Sequence, residues 1–529
     1  METIEGKQII GGMLSALGAE SFVGINRNNG QKLPYLFYKA TKKEVDVAVG
    51  TATSAFAACR NKSGAEKAAF LDMIIDEING ISEDLVLMAS LETALPEARI
   101  SGEKDRTINQ IKLFSALLKE GHWVDARIET ADPSRLPIPK PDTRSMQRPL
   151  GPVAVFGASN FPLAFSVAGG DTISAIAAGC PVIFKAHPAH PATCELVGKA
   201  IVRAIERCNM PTGLFSMLHG DGPVVGTMIV QHPGIKAVAF TGSFKAGKAI
   251  FDLAVKRPIP IPVYAEMGST NPVFVLPGAM KQRAETIASG YAAALTLGNG
   301  QFCTNPGLLI HLDDEIKDSF HASLKNAFTN TKSGVMLAEN IEQAYLTGIA
   351  ARKRLNGLEV MAEGMEAVAP AQQQPVLFRT TLAEYNSHPE LEEELFGPSG
   401  IVIETDSRMA MLTFAESLSG HLTATVHGTD EELPRYSDLL DILEQKVGRL
   451  VINGFPTGVE VNHAMVHGGP FPACTDARST SVGSAAIYRF TRPVCYQSFP
   501  QTLLPDELNN ANPLGVRRLV NGTLTNTPI

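Results

Sequence analysis

Three side chains in this sequence are of types that could together attack a carbonyl, hold the adduct and release a product. Cys303 stands in GNGQFCTNPG, among glycines and polar residues, whereas Cys194 and Cys208 fall on the faces of predicted helices. Glycines let a backbone approach a ligand closely, and an exposed N–H beside the sulfur could donate to an oxyanion. Glu266 is the lone charge in the apolar run VYAEMGSTNP, a setting in which partial burial raises a carboxyl toward the range of a general base. Asn160 follows the β-type run of GPVAVFGASNFP, where its amide could donate to developing negative charge. Each has an ordinary alternative: an inert loop thiol, a glutamate paired with a surface cation, a turn asparagine. A free thiol with a pKa of about 8.5 is mostly protonated at neutral pH. Cys303 therefore needs a base, a nearby positive group or oriented N–H dipoles.

Other residues suggest a phosphate-bearing ligand. Lys185 closes the run VIFK, either as a solvated strand end or as a phosphate or ribose contact. In FTGSFKAG, Gly242 and Gly247 lead from a short strand into a predicted helix, whose first N–H groups would bind phosphate. Neither GxGxxG nor GxxxxGK[ST] is present. HGDGPVVG reads as a turn before a helix. No metal is expected: HAMVH, with His463 and His467, lacks the glutamate of HExxH and has Gly and Pro nearby, and His187 and His190 straddle prolines. Both pairs read as solvated or near-cofactor histidines.

The elements that must position these residues follow from periodicity. The first 130 residues read as mostly helical, with amphipathic stretches in KKEVDVAVGTATSAFAACR, AEKAAFLDMIIDEINGI and TINQIKLFSALLKEGHW. A Pro-rich segment, ADPSRLPIPKPDTRSMQRPLG, suits an extended arm. From 151 onward, short β-branched runs alternate with helical segments, which predicts parallel βαβ units and a doubly wound sheet. Mixed strands and helices continue from VYAEMGSTNP to about 460, and the tail from 485 gives a second arm.

Composition bounds the function. The 529 residues are 44% hydrophobic and 19% charged, with a formal net charge of -8, ordinary for a globular protein and unfavourable for a nucleic-acid partner. Seven scattered cysteines without a CxxC pair fit a reducing compartment. No secretory signal is read at the start, and no apolar run reaches the roughly 18 residues of a membrane span. The expectation is a cytoplasmic enzyme.

Together, GASNFPLAFS, PVIFKAHP, FTGS with Gly247, AEMGSTNP, GQFCTNPG and ELFGP, in that order, resemble the aldehyde dehydrogenase superfamily. ETALPEARISGEKDRTINQ and GGPFPACTDARSTSVGSAAIYRFTRPVCYQ look most like the branch of α-ketoglutarate semialdehyde dehydrogenases and a long-chain fatty aldehyde dehydrogenase. The resemblance implies an α/β fold: a Rossmann-like cofactor domain from 1–135 and 148–265, a catalytic domain over 266–460, and a bridging and oligomerisation arm from 136–147 and 486–529. It implies a homodimer, or a tetramer. It makes Cys303 the nucleophile, Glu266 the general base and Asn160 the oxyanion donor. Lys185 would contact the adenosine ribose, Gly242 and Ser243 would form the pyrophosphate turn with Gly247 behind it, and Glu394 and Phe396 would hold the nicotinamide ribose and ring. Gly268 matches the glycine beside the base.

One departure bears on the cofactor. NAD-preferring members often carry a glutamate three residues after the lysine, where this chain has Pro188. Without that carboxylate a 2′-phosphate is not repelled, which favours NADP while allowing NAD; His187 and Arg203 would add positive charge. Glu266 favours release of a free acid over transfer to coenzyme A, because acyl-transferring members lack it. A cofactor-independent cysteine hydrolase is the rival from another class. A semialdehyde with a distal carboxylate would need a cation in the channel, for which Arg106 and Gln110 are candidates. Phe161, Phe165, Phe302 and Phe455 would form an apolar wall, which suits a fatty aldehyde equally.

Overall fold

The β-branched runs after residue 151 do form one parallel sheet. In the computed structural model, which describes residues 3–529, its strands lie in the order Val263–Glu266, Ala237–Thr241, Val153–Phe156, Val182–Lys185, Phe215–Leu218. Helices cover both faces, so these strands read as unbroken apolar runs. Gly170–Ala178, Pro191–Arg207, Pro223–Gln231 and Phe244–Val255 are the connecting helices. Proline opens two of them, at Pro191 and Pro223, where its missing N–H is not needed.

The beginning of the chain is less helical than its periodicity predicts. Gln8–Ile10 and Met13–Ser15 extend the sheet antiparallel beyond Phe215–Leu218, and Ser21–Asn26 pairs with Gln31–Tyr38 as a hairpin. The run Asn26 to Gly30, with Gly30 at φ 73°, is the turn signal that helical periodicity further on obscured. The expected helices follow as Lys42–Cys59, Gly64–Gly80 and Glu97–Glu120, with Ser82–Thr93 between. Thr41 with Glu44 and Ser63 with Glu66 form capping boxes that set two of their starts.

A second sheet has the order Glu359–Glu363, Val376–Thr381, Ser399–Thr405, Leu308–Leu312, Val273–Val275, His421–His427, Val447–Ile452. Only its first pair is antiparallel. Side chains alternate between two cores: Phe274, Ile310, Phe378 and Ile401 face one, and Val273, Val275, Leu309 and Leu377 the other. Glu266 ends the edge strand of the first sheet and Val273 opens a central strand of the second, so residues 267–272 cross the seam between them.

The expected arm is a five-stranded sheet. Thr491–Gln497 pairs antiparallel with Thr143–Pro149 along its whole length, and Arg127–Glu129, Arg518–Val520 and Thr523–Thr525 complete it. The strand thus runs past residue 147 to Pro149, and 127–129 joins it. Arg489 anchors the tail by donating to the buried Asp171 carboxylate and to the Tyr264 carbonyl. No helix among the described residues is long and apolar enough to cross a membrane.

Candidate active site

Glu266 is only 2% exposed. The Met267 N–H donates to the Ala473 carbonyl at 2.7 Å, which lays the chain beyond 453 along the carboxylate. Ser481 Oγ donates to Glu266 Oε2 at 2.8 Å, and His467 Nε2 stands 2.9 Å from Oε1. Burial pushes the carboxyl up. The facing His467 and the hydrogen bond from Ser481 outweigh it and hold Glu266 below its ordinary value, so the raised pKa expected from an apolar run is not found. His467, read from sequence as solvated or near-cofactor, is buried; His463 is exposed and lies 3.1 Å from Ser484 Oγ.

Cys303 sits in a tight turn. Gly298, Asn299 and Gly300 have φ of 57°, 55° and 68°, and a Cβ on Gly300 would overlap the Gly397 carbonyl. The buried Asn271 fixes the turn. Its Nδ2 donates to the carbonyls of Cys303 and Asn305 at 2.9 Å each, while its Oδ1 accepts from Thr423 N and Oγ1. Cys303 Sγ lies 3.4 Å from His467 Nε2. Burial raises the thiol well above its ordinary value, the carboxylates of Glu266 and Glu394 push the same way, and Arg106 opposes them. The resting sulfur is therefore a protonated thiol facing an imidazole that in turn faces a carboxylate.

Asn160 is buried, and its Nδ2 donates to the Gln301 carbonyl at 3.1 Å, two residues before Cys303. Glu103 holds its loop by accepting from Leu163 N at 2.8 Å and Ala164 N at 3.0 Å. Arg99 donates to the Asn160 carbonyl at 3.2 Å. Its guanidinium lies 4.9 Å from the Phe161 ring centre and 5.2 Å from that of Phe302. Phe161 follows Asn160 and Phe302 precedes Cys303, so one cation braces both loops.

The phenylalanine wall is partly as expected. Phe161 meets Phe165 and Phe302 edge-on at 5.4 and 5.1 Å, and Arg106 lies over Phe165 at 5.3 Å. Val459, Val461 and Met465 complete the patch. Phe455 is elsewhere, packed on Tyr291 and His427 at the edge of the second-sheet core. The buried Gln110 Nε2 has no hydrogen-bond partner and lies against Gly170, where the Ser481 carbonyl also approaches.

Lys185, Gly242 and Ser243, the residues expected to meet a dinucleotide, stand at the carboxyl ends of strands of the first sheet. Lys185 Nζ donates to the Gly220 carbonyl, and burial pushes it down to about 8. Ser243 caps the helix Phe244–Val255 through Ala246 N, directly after Gly242. A Cβ on Gly247 would strike Met267, and one on Gly268 would come within 2.7 Å of Glu394 Oε2. Burial pushes Glu394 up to about 8, and Phe396 is half-buried in the same loop. The lysine and the helix N-terminus thus stand at the carboxyl ends of strands of one sheet, and Glu394 lies against Gly268 just beyond that sheet's edge strand. Two expected cations are engaged elsewhere. Burial lowers His187 well below its ordinary value, leaving it neutral and stacked on His190, and Arg203 is ion-paired with Glu77 at 2.6 Å.

A cysteine beside a buried carboxylate, at the seam between a doubly wound sheet and a second α/β domain, defines a nicotinamide-linked aldehyde dehydrogenase fold. The comparisons agree: residues 18–477 match the model of the aldehyde dehydrogenase family, and the chain belongs to it. It is 46% identical over 526 residues to the α-ketoglutaric semialdehyde dehydrogenase of Acinetobacter baylyi, covering 99% of this chain and 100% of that one. It is 44% identical over 520 residues to α-ketoglutaric semialdehyde dehydrogenase 2 of Azospirillum brasilense, covering 98% and 99%. Among solved structures it resembles betaine aldehyde dehydrogenase of Staphylococcus aureus in complex with NAD+, with a TM-score of 0.80 and 19% identity over 94% of this chain and 98% of that one.

Sequence reasoning missed Asn271, Ser481, Arg99, Glu103 and the placement of His467. AEMGSTNP contains the first, GGPFPACTDARSTSVGS the second and ETALPEARISGE the third and fourth, without marking their roles.

Two outcomes are expected. Cofactor affinity measured by calorimetry peaks near pH 8. Below it Glu394 is protonated and stops accepting from ribose hydroxyls, and above it Lys185 loses its charge. Glu394→Gln removes the acid limb and Lys185→Gln the alkaline limb; one constant affinity from roughly pH 6.5 to 9.5 would show that neither group meets the cofactor. Arg99→Met, which keeps the stem and loses the brace, lowers kcat roughly 10–100-fold with little change in cofactor KM. An unchanged kcat would show that Arg99 does not position Asn160.

Proposed function

We propose that this protein oxidises α-ketoglutarate semialdehyde (2,5-dioxopentanoate) to α-ketoglutarate, with NADP preferred over NAD. The observation that carries the substrate is Arg106. Its guanidinium lies on the Phe165 face of the channel, influences Cys303 electrostatically, and has no carboxylate ion pair among the described residues. A substrate bearing an aldehyde and a distal carboxylate satisfies that cation. The names of the two relatives above 40% identity support the same reading. A long-chain aldehyde would suit the rings but leave Arg106 unpaired.

The geometry supports a stepwise path. The Cys303 thiol proton passes toward the His467–Glu266 pair as sulfur attacks the aldehyde carbon. The resulting oxyanion takes hydrogen bonds from Asn160 Nδ2, released from Gln301, and from the Cys303 N–H; one such donor is worth about 2.7–4 kcal/mol of barrier. The bound nicotinamide cofactor supplies the hydride acceptor. The thioester left on Cys303 is cleaved by water that gives its proton to Glu266, and the acid leaves as the thiol re-forms. His467 Nε2 lies 3.4 Å from Cys303 Sγ and 2.9 Å from Glu266 Oε1, between the thiol and the proposed base.

NADP preference rests on Pro188, which puts no carboxylate against a 2′-phosphate, and on Lys185, rather than on His187 or Arg203. The edge strand Thr491–Gln497 of the arm offers the pairing surface for a homodimer. Seven free cysteines suit a reducing, cytoplasmic setting.

Cys303→Ala abolishes turnover. Glu266→Gln gives a stopped-flow burst of reduced cofactor followed by slow release; normal turnover of this variant would remove Glu266 from the role of base. In steady-state assays the wild type favours NADP by more than about tenfold, ~1.4 kcal/mol. Arg106→Leu lowers kcat/KM for the semialdehyde by roughly 10–150-fold, the 1.5–3 kcal/mol of a charged hydrogen bond, and spares a long-chain aldehyde. Equal loss on both substrates would show that Arg106 does not read a carboxylate.

A further inference from the structure

The sequence spacing of HAMVH gave no metal site, yet the fold gathers three different ligand atoms from distant segments. Glu266 Oε1, His467 Nε2 and Cys303 Sγ lie within 4.8 Å of one another. The carboxylate oxygen is 2.9 Å and the sulfur 3.4 Å from the same ring nitrogen. We propose that these three side chains form a high-affinity site for a borderline-soft divalent cation, zinc foremost, whose occupancy switches the enzyme off reversibly.

Four observations carry this. Thiolate, imidazole and carboxylate are the ligand set zinc takes, and three protein ligands leave its fourth position open to water. Tetrahedral bonds of about 2.0–2.3 Å separate ligand atoms by roughly 3.3–3.5 Å. The nitrogen-to-sulfur pair is already there, and the sulfur-to-oxygen pair closes by rotation of the half-buried Cys303. Glu266 Oε1 is buried without a hydrogen-bond donor, although His467 Nε2 is close, because no N–H points along the contact. The other oxygen is held by Ser481, which fixes the carboxylate as outer hydrogen bonds fix a metal ligand. Finally, the Asn271 amide holds the backbone of the sulfur ligand by donating to the Cys303 carbonyl at 2.9 Å, so only the side chain of Cys303 has to turn. Binding breaks the Cys303 S–H bond, releases the proton to solvent and forms the sulfur–metal bond with no change of oxidation state. The metal then occupies the sulfur lone pair that would attack the aldehyde.

That zinc inhibits rests on Cys303 being the nucleophile; that it binds does not. The test therefore reads binding and activity separately. Dialysed full-length protein is titrated with Co²⁺ in the absence of substrate and cofactor, and the sulfur-to-cobalt charge-transfer absorption is followed. One equivalent is expected to saturate the band. Cys303→Ser is expected to abolish it, and His467→Gln or Glu266→Gln to weaken cobalt affinity at least tenfold. In parallel, Zn²⁺ is expected to inhibit aldehyde oxidation until EDTA is added, with His467→Gln shifting its inhibition at least tenfold upward. Absence of the band, its persistence in Cys303→Ser, or unaltered affinity in both other variants overturns the site. A cobalt band in a protein that oxidises no aldehyde leaves the site standing and removes the dehydrogenase reading instead.

Discussion

A carboxylate at 2% exposure on the seam between two sheets is the constraint around which this molecule is built. Taking such a group out of water costs several kcal/mol unless partners satisfy it. The first sheet places Glu266 at the end of an edge strand, where the strand alone offers no partner for its side chain. The chain beyond residue 453 therefore returns to cover it. Thr475 Oγ1 accepts from Ala265 N, Ala473 accepts from Met267 N, and Ser481 and His467 take the two carboxylate oxygens. The same segment closes an otherwise open sheet edge. Fold closure and carboxylate compensation are one event here.

The electrostatics of the sulfur follow from that burial. Two carboxylates, Glu266 and Glu394, act against ionisation of Cys303, and Arg106 is the cation that opposes them. A protonated thiol is a poor nucleophile and oxidises slowly. The imidazole of His467 lies between the thiol and a carboxylate held below its ordinary value. This arrangement sets a cysteine, a histidine and an acid in one row, the order of groups that a cysteine hydrolase also uses.

Much of this was legible in the sequence, for a physical reason. Cys303 and Asn160 stand in turns, and Glu266 ends a strand that runs into one; the glycines and prolines these turns require leave short motifs. The parallel strands were legible because burial on both faces forces unbroken apolar runs. His467 was not legible, since its role depends on a return across 201 positions from Glu266 (467 less 266) that no periodicity encodes. Phe455 shows the converse error: an aromatic near a channel-forming segment was counted with the wall, but the turn after Val447–Ile452 carries it onto Tyr291 instead. The raised pKa expected of Glu266 failed similarly, because an apolar run predicts burial and says nothing about the partner that burial recruits.

Two arginines on one helix make the distinction between framework and recognition. Arg99 and Arg106 are seven residues apart on Glu97–Glu120, two turns and about 10.5 Å along one face. Both lie over phenylalanine rings. Arg99 has Glu103 one turn on, at 3.5 Å, and that carboxylate also holds the Asn160 loop, so its charge is spent inside the protein. Arg106 is half-buried and donates to the Val459 carbonyl at 3.4 Å. Among the described residues it has no ion pair, and Glu103, Glu266 and Glu460 act on it only at longer range. The helix thus carries one cation engaged inside the protein and a second that, under the proposed function, meets an anionic group of the substrate. On that proposal, a substrate carrying both an aldehyde and a carboxylate pairs with Arg106 and meets Cys303 in a single bound pose.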